Sequence, residues 1–147
     1  MLLIGREVGQ GAYVGRGVRL TVTGVEPDRG SPGEGRAELT IEYRSDVVVS
    51  GSDVPAGDHV RWQAEAEARL RVDPRTLPAR VTALWVPRRS GVLIGRGIRV
   101  VIVEVQADGM VRLGFDAPKH VAVSRDDFTL EDHLRFQAQR DGSEAPR

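Results

Sequence analysis

Two echoes within the chain limit what it can fold into. Val14–Val22, VGRGVRLTV, returns as Ile94–Ile102, IGRGIRVVI, 80 residues further on. Asp58–Ala64, DHVRWQA, returns as Asp132–Ala138, DHLRFQA, after 74 residues. The offset changes in one place. There the loop EPDRGSPGEGR (26–36) of the first copy gives way to the tight turn QADGM (106–110) of the second. An insertion confined to a hairpin adds little closure entropy, so a module duplicated in tandem is the simplest account.

Each copy reads as five short strands and a closing helix. A first strand (Leu2–Arg6; Leu84–Arg88) leads through a glycine-marked turn to a second, which ends at Val14–Gly15 or Ile94–Gly95. A longer run rich in β-branched residues follows (Val18–Val25; Ile98–Val105). The fourth strand is placed at Ala37–Ile41 and Met110–Phe115, and the fifth at Asp46–Val49 and His120–Val123. Leu130, Leu134 and Ala138 recur at i, i+4, i+8 and predict the buried face of the second helix. Asp53, Asp126 and Asp127 are the expected helix starts. The repeats therefore span 1–65 and 81–139. A proline-containing linker at 66–80, with a short strand at Arg69–Val72, joins them, and a flexible tail covers 140–147.

A module of about 60 residues buries too little surface to stand alone. The other copy is its natural partner. The expected fold is mainly β with short helices, its two five-stranded repeats each packing on the other within one chain. A linker of about 15 residues, at roughly 3.3 Å each, would equally allow two chains to exchange repeats; a monomeric pseudo-dimer is the preferred form.

Composition narrows the function. Apolar residues are 40% of the chain, enough for a core, and no apolar run reaches the length of a membrane span. With no cysteine there is neither a disulfide framework nor thiolate chemistry, and a cytoplasmic location is expected. Formal net charge is zero, so any nucleic-acid binding has to be local rather than a bulk field. GQGAYVG (9–15) lacks both the spacing and the following helix of a phosphate loop, and reads as hairpin turns. His59 and His133 occupy matching helix positions with no second ligand at i±4, so no metal site is predicted. No catalytic triad is legible, and no cofactor or catalytic residue is assigned.

One segment carries more. RRSGVLIGRGIRVVIVEVQADGMVRLGFDAPKHVAVSRDDF (88–128) resembles the carbon storage regulator (CsrA, RsmA) family of bacterial translational regulators, most specifically in APKHVAVSRDD (117–127). The first copy is similar from its opening MLLIGREVGQ, but its fifth-strand motif has become YRSDVVVSGSD (43–53). The resemblance implies a homodimer-like fold with interleaved strands. It also implies a non-enzymatic role: binding GGA in hairpin loops of mRNA or small regulatory RNA, where the first strand of one copy meets the fifth of the other.

Carried onto this chain, one site joins Ile4, Gly5 and Arg6 to Pro118, Lys119, Val121, Val123, Ser124 and Arg125. A weaker one joins Val86, Arg88 and Arg89 to Val47 and Val49, with Gly51 where the first site has Arg125. Glu7 stands where the family usually has a second arginine, and two residues are expected to be missing from the hairpin at Ser90. Strand edges offer fixed backbone donors and acceptors to unpaired bases, and an arginine adds a fork for phosphate or guanine. One working site and one weak site are expected. The competing expectation is a module that has lost RNA and docks a protein through its helices, because the resemblance also brings a precedent: the flagellar assembly factor FliW antagonises family members near the C-terminal helix.

Overall fold

The computed structural model describes residues 1–27, 35–73 and 76–144, with the side chains of 142–144 left aside. The first half supplies β1 (Leu2–Arg6), β2 (Gly11–Val14), β3 (Val18–Glu26), β4 (Arg36–Arg44), β5 (Val49–Ser50) and α1 (Ala56–Ala68). The second supplies β6 (Ala79–Pro87), β7 (Gly91–Ile94), β8 (Ile98–Val105), β9 (Val111–Asp116), β10 (Val123–Arg125) and α2 (Leu130–Glu144).

Two antiparallel five-stranded sheets result, ordered β1-β9-β8-β7-β5 and β10-β2-β3-β4-β6. In each, three central strands come from one half and both edges from the other, so the expected interleaving is present. Alternation drives the packing. Val18, Leu20 and Val22 of β3 point inward with Ala37, Leu39 and Ile41 of β4, and they meet Val100, Ile102, Val111 and Leu113 of the other sheet in one core. Both long strands bulge at corresponding points, between Val22 and Gly24 and between Ile102 and Glu104.

Glycine is required at the matched positions Gly11 and Gly91. A Cβ there would stand 1.8 Å from the Leu20 carbonyl oxygen and 2.7 Å from that of Val100. The two GRG segments form turns with positive φ at both glycines, as expected.

The helices depart from expectation. Leu130 and Leu134 are exposed, while His133 and Gln137 are buried. The buried stripe has the predicted period but is polar, and it works through hydrogen bonds. His133 Nδ1 lies 2.8 Å from Ser124 Oγ and its Nε2 lies 2.7 Å from the Gly15 carbonyl. Gln137 accepts from the Ala122 N–H at 2.7 Å and donates to the His120 carbonyl. One turn on, Asp141 pairs with Arg16. The first helix repeats this: His59 with Ser50 and Gly95, Gln63 with Val48 and Asp46, Glu67 with Arg96. Gly95 and Arg96 belong to the second half and Gly15 and Arg16 to the first, so each helix is fastened to the other half's hairpin.

Helix starts also differ. α2 is capped by Thr129, whose Oγ1 accepts from the Asp132 N–H at 3.0 Å, and α1 begins after Pro55 with no side-chain cap. Asp53, Asp126 and Asp127 cap neither. Residues 69–72 form no strand, the fifth strands are short and shifted towards the C-terminus, and α2 runs through the expected tail to Glu144. Most of the 26–36 loop, linker residues 74–75 and residues 145–147 lie outside the described residues.

The largest correction concerns β6. It begins at Ala79 and pairs with the whole of β4, Leu84 opposite Leu39 and Val86 opposite Ala37. In the other sheet Ile4 is opposite Leu113 and Arg6 opposite Val111. Since Leu39 and Leu113 correspond, Leu84 answers Ile4 and Val86 answers Arg6, at the same offset of 80 residues as the rest. The expected pairing of Leu84 with Leu2 and of Arg88 with Arg6 slips by two residues, and no hairpin residue is missing. The turn agrees: Gly9 donates to the Val22 carbonyl as Arg89 does to that of Ile102, and both have positive φ, 91° and 67°.

Candidate nucleic-acid interface

β1 is the edge of one sheet and β10 the edge of the other. The fold brings them together at one cleft of about 490 Å³. Leu2, Leu3 and Ile4 form its β1 wall, and Ala122, Val123, Ser124 and Arg125 its β10 wall. Phe128, Phe136, Gln139 and Arg140 close it from the helix side.

Of the expected site residues, Ile4, Val123, Ser124 and Arg125 meet here. Gly5 adjoins this wall but lies against Met110. Arg6 is buried, only 6% exposed, and its guanidinium donates to Asp126 Oδ1 at 3.2 Å. Asp127 lies 3.9 Å from the same nitrogen and 3.1 Å from Arg125 Nη2. Arg6 and Arg125 are thus bridged by one carboxylate, as neighbours. Their situations differ, because Arg6 is enclosed whereas half of the Arg125 side chain faces solvent. Arg6 holds β1 against the Asp126 turn; Arg125 is available to a ligand.

Ser124 is buried and its hydroxyl is engaged by His133. Val121 packs towards Gly15, and Pro118 towards Gly97, at the hairpin turns away from the cleft. Lys119 is exposed, and its carbonyl accepts from Arg140 at 2.9 Å, which ties this loop to the cleft rim.

The second set of residues is arranged differently. Val86 is a core residue, and Val47 and Val49 pack partly buried against that core. Arg88 and Arg89 belong to the turn after β6, not to its edge, and Arg89 shares a separate cleft with Gly51, Ser52 and Arg99. At the positions of Arg6, Arg125 and Asp126 this half carries Val86, Gly51 and Ser52. Both cations and the carboxylate that pairs with Arg6 are therefore absent together, while Asp53 remains at the position of the bridging Asp127.

Asp126, Phe128, Phe136, Gln139 and Arg140 were not foreseen as part of the interface. For Asp126 a signal existed: a carboxylate directly after the exposed Arg125, in a chain whose β1 ends on arginine. The helix residues gave no such signal, because their orientation follows from the polar stripe.

Residues 87–131 match the model of the CsrA family, described as the global regulator protein family. No curated protein and no solved structure matches the chain.

Proposed function

The chain is a member of the CsrA family through residues 87–131, and from that premise we propose that it is a post-transcriptional regulator. It binds GGA-containing hairpin loops of mRNA or small regulatory RNA at the β1–β10 cleft, and so blocks ribosome access or changes transcript lifetime. The first half acts as a second, diverged CsrA-like copy that completes the site. The observation that carries the reading is the meeting of β1 from one half with β10 from the other, with Arg125 exposed at their junction. Edge backbone groups offer base-specific contacts there, and the guanidinium offers a charged fork.

The second half-site lacks arginines at the positions of Arg6 and Arg125, though Arg89 and Arg99 line its cleft, and it is weak or inactive in this reading. A charged hydrogen bond contributes about 1.5–3 kcal/mol, or roughly one to two decades of affinity. Titration with a hairpin bearing ANGGA in its loop, beside a GGA-to-CCA control at stated salt, tests the proposal. Tight binding of the first and not the second is expected. Arg125→Ala abolishes tight binding, and Arg88→Ala changes it much less; equal effects of the two would refute the asymmetry.

A second reading has its own support. Val60, Trp62, Leu134 and Phe136 are exposed apolar residues on the two helices, a surface suited to a FliW-like protein antagonist. Loss of discrimination between the two loops would favour this protein-docking role over RNA binding.

A further inference from the structure

The cleft extends beyond the strand edges that the proposed function uses. Phe128 and Phe136 stand at its helix side with ring centroids 5.9 Å apart and planes at 85°, and both are partly exposed. Two rings at a right angle make a corner in which one face is open to a flat guest. Leu2 and Leu3, both exposed, supply the opposite wall. Arg125, Gln139 and Arg140 also line the cleft. An apolar aromatic corner beside guanidiniums suits an unpaired nucleobase with its phosphates: the ring stacks without regard to sequence, and the cations meet the backbone.

The molecule contains its own comparison. At the corresponding positions the other half has Val54 for Phe128, Trp62 for Phe136, Glu65 for Gln139, Ala66 for Arg140 and Gly51 for Arg125. There the ring pair is broken, both arginines are gone and an acid has entered. Aromatic pair and cations thus occur together at the composite site that holds Arg6 and Arg125 and are lost together at the other.

We propose that the Phe128–Phe136 corner is a stacking subsite for one unpaired base flanking the GGA, gripped together with it in the same loop. This rests on the β1–β10 cleft being an RNA site, and it adds a contact outside the GGA and outside the strand edges.

The test is a double-mutant cycle with synthetic RNA hairpins at fixed salt. One hairpin carries an intact loop; others carry an abasic nucleotide at single positions beside the GGA. Phe136→Leu keeps an apolar side chain and removes the ring, and Phe128→Leu serves as the second variant. One abasic position should weaken binding to the unaltered chain by about tenfold, the order of a lost base stack. Phe136→Leu should weaken the intact loop by the same factor and leave that abasic loop unchanged. If GGA hairpins bind and both variants treat every loop as the unaltered chain does, the subsite is disproved while the RNA reading stands; the corner then belongs to packing or to a protein partner. If no GGA hairpin binds, both proposals fall.

Discussion

Arg89 holds the backbone in the left-handed region at φ 67°, where its counterpart is Gly9. For an L-residue that conformation costs roughly 1–2 kcal/mol, partly offset by the greater freedom glycine has when unfolded. Arg89→Gly should therefore stabilise the protein by up to about 1 kcal/mol, read from denaturant unfolding; a loss of stability would mean that the side chain makes a compensating contact. The same position shows where sequence reading fails. RR at 88–89 looks like the arginine pair of a strand end, and only the β4–β6 register reveals that both belong to the turn. Arg125 was legible because its motif is compact and local. The employment of Arg6 was not, because its partner Asp126 lies 120 residues away.

At the scale of elements, the helices are fastened by polar stripes at i, i+4, i+8: His59, Gln63, Glu67 and His133, Gln137, Asp141. Burial lowers the pKa of His133, outweighing its bond to Gly15, and the Arg16 charge adds to the lowering. Hydrogen bonds from arginine lower those of Glu67 and Asp141. All three groups bind protons more readily when unfolded, so each favours folding at neutral pH and loses that contribution on acidification. For His133 the loss begins as pH falls through the ordinary histidine value near 6.5; for the two carboxylates it begins lower. Melting temperature should decline from pH 7 downward, and the His133 ring should stay neutral by NMR where an exposed histidine is half protonated. A melting temperature that rises on acidification would contradict this linkage.

Gln137→Ala should leave the Ala122 N–H without its side-chain acceptor, at a cost of about 1–3 kcal/mol, and should raise hydrogen exchange in α2 and β10 first. Strand types and order were legible from β-branched periodicity and turn glycines. The helix face was not, because apolar periodicity assumes an apolar seat, whereas here backbone groups of the helix's own fifth-strand segment and one carbonyl of the partner hairpin provide the seat.

Across the whole molecule, neither half completes a sheet. β1 needs β9 and β5 needs β7, just as β6 needs β4 and β10 needs β2. Residues 1–73 produced alone should lack the native fold as a monomer, and a well-dispersed NMR spectrum from such a monomer would overturn the interdependence. The duplication, with its in-register offset, made the mutual dependence of the two copies legible; the exchange of edge strands came from the family resemblance. The inequality of the two composite half-sites follows from the same topology, which sets Arg6 and Asp126 of different halves side by side and gives the other end Val86 and Ser52. Calorimetric titration of the chain with a GGA-loop hairpin measures the consequence most directly. One hairpin per chain, lost on Arg125→Ala, is the expected result; two equivalent hairpins per chain, or binding indifferent to Arg125, would contradict a single composite site.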